Sequence, residues 1–350
     1  VSISGVSRTQ EVLFASDPWA TITTGVRRRC PQNAQLAALA FVRQAEHNYR
    51  TAIAASLIES KPVLLYYSFL NLVKAYLLTV QQQPSVDRAK HGMSEKLKVG
   101  GQEFVDAFIS LIPTIQASEV SIFDEFHTAL TGAHMQARID WDLPAMAPQI
   151  LPGHRMWAAT TLTDPERFVR LDNLVAHAEP GPNPGAWLSF DVHDQDVARA
   201  GLTAVDFATA AGLPGNWTQV HATPGDGRLT FESDLVQPVG TETASDCAAR
   251  LSGTLVRALW STVVAAPPYR RYYAFRRAAS ETVLPQLLST YAFVFYLGSV
   301  TRYRPHHFER VVVGDYGPFV QEFIAAAPSQ FIFMMASFFA NQDVVRPALA

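Results

Sequence analysis

The sequence predicts a mainly α-helical protein whose helical ends flank an α+β middle module, on three observations. Apolar residues recur at three- and four-residue steps between Ala34 and Leu130, the signature of amphipathic helices. From about Trp157 the pattern shifts to short apolar alternations at 167–176, 186–192, 216–222 and 228–236, divided by Gly- and Pro-rich turns. After about residue 280 long apolar helical stretches return, too hydrophobic to stand alone in water, so they must cover the first helices, a partner subunit, or both. The expected organisation is an N-terminal helical bundle over 1–155, a middle module over 156–280 and packing helices over 281–350.

In order, residues 1–33 read as irregular, with a turn at Asp17, Pro18 and Trp19, and the run Arg27, Arg28, Arg29 reads as solvated surface or a phosphate contact. Asn33 is positioned to cap a helix from Ala34 to about Glu59. Pro62 opens the next helix, where its missing N–H costs little, and a connection this short makes the two helices antiparallel. Phe104, Phe108, Leu111 and Ile112 continue the helical pattern, and a further helical piece ends near Gly132. Val197 to Ala211 is expected as one helix between strands, and Ser245 to Val263 as another. The turns fall at the EPGPNPG cluster of 179–185 and at PGDG of 224–227.

A chain of 350 residues buries a substantial core without staples, and a net charge of -3 with a pI near 6.4 gives no global basic field. Nucleic-acid contact would therefore come from a local patch. Cys30 and Cys247 lie far apart, which fits free thiols and a cytoplasmic setting better than a disulfide. Val283–Val300 and Phe319–Phe339 are apolar, yet polar residues interrupt both, so they are expected as buried helices and not membrane spans. The phosphate-loop, dinucleotide, nucleophile-elbow and zinc-helix motifs are missing from the sequence, so neither a cofactor nor a metal is expected.

Three stretches carry chemistry. The first is Leu64 to Gly92, where Tyr66 and Tyr67 open an apolar helix that also bears Asn71 and Lys74, three apart and so on one face. A polar loop at Pro84 and Ser85 then brings Arg88, Lys90 and His91. A histidine there can act as a general base while Arg or Lys offsets charge on a phosphoryl group; it can equally fix the loop through backbone hydrogen bonds. The second is TRYRPHHFER, 301–310, where Arg302, Arg304, His306 and His307 surround a helix start at Pro305, suited to holding an anion or to bonding carbonyls at a corner. The third is PYRRYYAFRR, 268–277. Its Arg270, Arg271, Arg276 and Arg277 interleave with aromatics such as Tyr273, as a nucleotide-binding surface or as a strand with one aromatic and one basic face.

The order KPVLLYY (61–67), NLVKAYLL (71–78), HGMS (91–94), GGQEF (100–104) and TRYRP (301–305) resembles the YaaC-like family of bacterial proteins. A Tyr-Tyr helix followed by a His-Gly loop is also similar to the HEPN superfamily of four-helix domains. That resemblance implies a HEPN-like bundle assembled from both ends of the chain. It also implies an RNA- or nucleotide-directed role in stress or antiviral defence, and a homodimer whose protomers complete one site. If the chain is a metal-independent ribonuclease of that kind, His91 or His307 would deprotonate a ribose hydroxyl and Arg88 or Arg302 would stabilise the transition state. The alternative is a non-enzymatic scaffold that holds a nucleotide or a protein partner.

Overall fold

The computed structural model describes residues 2–4, 12–83, 85–115, 119–162, 165–179, 185–223, 226–233, 237–238, 244–278 and 281–348. The chain forms two compact units. One is made of residues 15–160 and 286–344, the other of 1–14, 161–285 and 345–350. The fold is mainly helical with an α+β part.

In the first unit, helix α1 spans Pro18–Arg29, where an irregular segment was expected. The cause is local: an Asp17 carboxylate oxygen accepts from Trp19 N at 3.0 Å, and Pro18 fits the first turn, whose N–H groups have no helical partner. The arginine run closes this helix, and Arg29 donates to the Phe338 and Phe339 carbonyls at 2.6 and 3.0 Å. Helix α2 (Gln32–Ala54) starts one residue before the expected cap, Asn33, and lies antiparallel to α3 (Lys61–Thr79). Their register is fixed where Ser68 Oγ donates to the Ala45 carbonyl at 2.8 Å and Asn71 Nδ2 to Gln44 Oε1 at 3.3 Å.

Helix α3 is buried on almost every side, because further helices pack around it. These are α4 (Ile122–Thr131), α5 (Gln286–Tyr303) and, after a short α6 (Pro305–Val313), α7 (Gly317–Ala340). The C-terminal apolar helices thus share a core with the N-terminal ones; Phe69 stacks on Phe331 with ring centroids 3.8 Å apart. Among the described residues one helix, α7, is long and apolar enough to cross a membrane, and over half of that apolar window is buried inside the unit.

The expected helix around 104–112 is instead a strand. Met93–Leu97, Ala107–Leu111 and Ile139–Asp142 form a three-stranded antiparallel sheet. The apolar residues Ala107, Ile109 and Leu111 are fully buried at alternate positions, with Ser110 buried on the other face, and that apolar period of two outweighs the helical spacing of Phe104, Phe108 and Leu111.

The second unit is built on an antiparallel sheet. Its strands are β1 (Ser2–Ser4), β2 (Phe168–Glu179), β3 (Gly185–His193), β4 (Trp217–Thr223), β5 (Arg228–Ser233), β6 (Gln237–Pro238), β7 (Trp260–Val263) and β8 (Arg270–Phe275). They run in the order β7-β8-β2-β3-β5-β4, with β1 also on β2 and β6 also on β3. One face buries Leu171, Phe190, Val192, Phe231 and Tyr272 under helices Asp194–Arg199, Ala204–Ala210 and Ala244–Ala258.

The single helix expected over 197–211 is two, divided at Gly201, where φ is +70°. The helix expected to reach Val263 stops at Ala258, and its last apolar residues become β7. Residues 180–184 of the EPGPNPG cluster, Pro224 and Gly225 of the PGDG turn, and Pro84 lie outside the described residues. Cys30 and Cys247 are both buried, and neither forms a disulfide.

Candidate functional site: a cationic cleft at a tyrosine pair

Tyr66 and Tyr67 are successive residues of α3, so their side chains point about 100° apart. Tyr66 turns into the core, stacked 6.4 Å from Tyr291 and edge-on to Phe295 at 5.4 Å. This close approach of α5 depends on Gly298, since a Cβ there would stand 3.0 Å from Tyr66 Cβ and 3.2 Å from the Pro62 carbonyl oxygen. Tyr67 turns outward. Each phenol gathers one group from a remote segment: the Tyr66 hydroxyl lies 2.6 Å from His91 Nδ1, and Arg302 Nη1 donates to the Tyr67 hydroxyl at 2.6 Å.

The loop that carries His91 is held by its backbone. Lys90 N donates to Val120 O at 2.8 Å, Ile122 N to Lys90 O at 2.9 Å, and Ile112 N to Gly92 O at 2.9 Å. Gly92 has φ +78°, and a Cβ on it would meet Ser121 Oγ at 1.9 Å, so the residue after His91 has to be glycine.

Tyr67, Asn71 and Lys74 follow one another at helical spacing along α3 and face Phe41, Arg43, Gln44 and His47 of α2 across a cleft of about 900 Å³. Lys74 Nζ sits 5.3 Å over the Phe41 ring. No carboxylate lines this cleft among the described residues. Beyond His91 a second hollow of about 690 Å³ is lined by Glu95, Lys96, Phe295, Arg302 and Tyr303. His91 borders both. In the second hollow the Arg304 guanidinium donates to the nearly buried Glu95 carboxylate, while Arg302 stacks 4.3 Å over Tyr303.

Burial lowers the His91 pKa from its ordinary 6.5, and the positive charges of Lys74 and Arg302 lower it further, so the ring is neutral at pH 7. Burial also pulls the Lys74 ammonium down, with Asp87 opposing. Burial raises the Tyr66 phenol, which therefore keeps its proton. Since His91 Nδ1 is the one partner of that buried hydroxyl among the described residues, the phenol donates and Nδ1 accepts. The proton of the neutral imidazole is then on Nε2.

The residues singled out in the sequence divide. Tyr66, Tyr67, Asn71, Lys74, His91 and Arg302 come together. His307 does not join them: it is 2 % exposed, with Nε2 3.1 Å from the Tyr296 hydroxyl and Nδ1 3.1 Å from the Gln102 carbonyl, so both nitrogens are engaged in the core. Arg304 is held by Glu95, His306 is exposed on α6, and Arg88 is exposed in a turn that lines neither hollow. Lys90 pairs with Glu119 at 2.7 Å on the surface.

Arg270, Arg271, Tyr273, Arg276 and Arg277 belong to the other unit. There Arg276 Nη1 donates to the Ala200 carbonyl at 3.0 Å, and Arg277 packs on Gly212. Sequence reasoning missed Arg43, Gln44 and His47. Their signal was the polar edge of α2 at the same three- and four-residue steps, which becomes visible once α2 and α3 are paired. Asp124, Glu125 and His134 lie close enough together to hold a metal ion, but both carboxylates already accept protein hydrogen bonds, from Thr114 and Met135 and from Thr114 and Gln82.

No curated protein and no solved structure matches this chain significantly. A family model for YaaC-like proteins matches residues 7–339, nearly the whole length, and the chain therefore belongs to the YaaC-like protein family.

Proposed function

We propose that this protein binds RNA or a nucleotide through its phosphates in the cleft between α2 and α3. The observation that carries the reading is the cleft lining: Arg43, Lys74 and the nearby Arg302 around a neutral His91, with no carboxylate among the described lining residues. A half-buried Lys74 between exposed Arg43 and Arg302, with no carboxylate in the described lining, favours an incoming anion, and Nε2–H of His91 adds a neutral donor. Phe41 and Tyr303 offer ring faces on either side for bases. The HEPN-like affiliation is part of this proposal. It is supported by a tyrosine-pair helix inside a helical unit, next to a His-Gly loop.

Cleavage of RNA without metal is the second reading, favoured by a neutral His91 under the influence of two cations. It requires the other tautomer, in which Nδ1–H donates to the Tyr66 oxygen and Nε2 is free to take a ribose proton.

One experiment separates the two. A labelled single-stranded RNA is titrated by anisotropy in EDTA, and the same mixture is run on a denaturing gel. Binding that weakens with salt and intact RNA fit the first reading; fragments lost in His91→Ala fit the second. Neither binding nor fragments would reject both.

A further inference from the structure

In the sheet unit, strand β2 changes partner along one edge. It pairs with β8 as far as Leu171 with Tyr272, and with β1 from Val175 with Ser4. Neither pairing reaches 172–174, and on the other edge the register with β3 shifts between Asp172 and Val175. Asn173 occupies this bulge at φ +50°, a conformation that costs a non-glycine residue energy, and its Nδ2 donates to Asp191 Oδ2 at 2.7 Å. The break leaves a hollow of about 410 Å³, closed on its far side by Pro268 and the first residues of β8.

Among the described residues three arginines line this hollow, Arg170, Arg270 and Arg271, against one carboxylate, Asp172. Arg170 is opposite Tyr273 in the ladder, and Arg271 lies two residues along from Tyr273, so the Arg170 and Arg271 side chains leave the same face of adjacent strands. Asp172 is met by Arg170 Nη2 at 2.5 Å and by His193 Nε2 at 3.9 Å. The Nε–H groups of Arg170 and Arg271 are buried and have no acceptor among the described residues. The Nε–H of Arg277 in the same unit is likewise buried without an acceptor, whereas Arg167 donates to Glu281 and the Arg276 carbonyl, and Arg276 to the Ala200 carbonyl. Two guanidinium groups side by side with buried N–H donors unused, at a sheet break held in a costly conformation, call for an oxyanion.

We propose that this hollow binds a small phosphomonoester, with its phosphate held by Arg170 and Arg271. The volume of about 410 Å³ is in the range of small-molecule sites, which favours a small ester over a nucleic-acid strand. The site is separate from the α2–α3 cleft and does not depend on how that cleft functions.

The test is calorimetric titration of the full chain with ribose 5-phosphate, glucose 6-phosphate and inorganic phosphate, in wild type, Arg271→Gln, Arg271→Lys and Lys74→Ala. Arg271 is half-buried on an open face of the sheet, and circular dichroism checks that both variants fold. The expected result is binding of at least one phosphomonoester, weakened about tenfold or more by Arg271→Gln. Arg271→Lys, which keeps the charge and loses the fork, should recover only part of it, and Lys74→Ala none of the loss. Absence of binding by all three probes overturns the proposal, as does equal affinity in Arg271→Gln. Loss in Lys74→Ala with Arg271→Gln unaffected would assign the binding to the cleft instead and also overturns it.

Discussion

The Tyr66 hydroxyl sits 2.6 Å from His91 Nδ1, and it ties the core of the helical unit to the one histidine that borders both of its hollows. A buried phenol with a raised pKa donates here and does not ionise, so it selects the tautomer of the ring beside it. Nitrogen-15 spectra should show His91 protonated on Nε2 in wild type and a mixture of tautomers in Tyr66→Phe. The same substitution should cost about 0.5–1.5 kcal/mol in denaturant unfolding, the net worth of one hydrogen bond. An unchanged tautomer would mean that the phenol does not set it.

The two histidines singled out in the sequence should behave differently when removed. His307→Ala deletes a buried ring that bonds Tyr296 and the Gln102 carbonyl, and should destabilise the chain by about 2–4 kcal/mol. His91→Ala, which removes an exposed ring and its one bond to Tyr66, should cost about 0.5–1.5 kcal/mol. Equal losses in urea titrations would contradict the division into a core histidine and a cleft histidine.

Much of this was legible in the sequence and some was not. The Tyr-Tyr helix, the polar pair Asn71 and Lys74, and the shared packing of the C-terminal helices follow from spacing and hydrophobicity. The pairing of Arg302 with Tyr67 does not, because contacts 235 residues apart leave no periodic trace. Arg302 and His307 are five residues apart, yet the turn at Arg304 and Pro305 sends one to the cleft and the other into the core. The 104–112 segment shows the opposite difficulty: its apolar residues satisfy both periods, and only its sheet partners decide.

Gly92→Ala should be among the more damaging small substitutions in the helical unit. A methyl group would overlap Ser121 Oγ, which caps α4 by accepting from Asp124 N at 3.2 Å, and φ there is +78°. Thermal unfolding should show a loss of about 1–3 kcal/mol, from strain together with a weakened cap. A variant as stable as wild type would show that the loop can relax without moving His91.

Stability should also depend on pH in a defined direction. Both His91 and His307 have folded pKa values below the ordinary 6.5, so the unfolded chain binds protons more readily. Their contribution is fully present above about pH 6.5 and declines as pH falls toward the lowered values. Wild type should therefore lose stability from pH 7 to 5.5 more steeply than a His91→Gln variant. Parallel curves would show that the His91 ring titrates normally.

The central claim is that Lys74, Arg302 and His91 share one electrostatic field that an anion enters, and the ring of His91 reports on it directly. Its pKa can be followed by proton NMR, with the resonance assigned through His91→Gln, in wild type, Lys74→Ala and Arg302→Ala, with and without a short single-stranded RNA. The account predicts a value below 6.5 in the free protein, higher in each variant, and raised in wild type when RNA binds. A His91 pKa that neither substitution nor RNA displaces would contradict it.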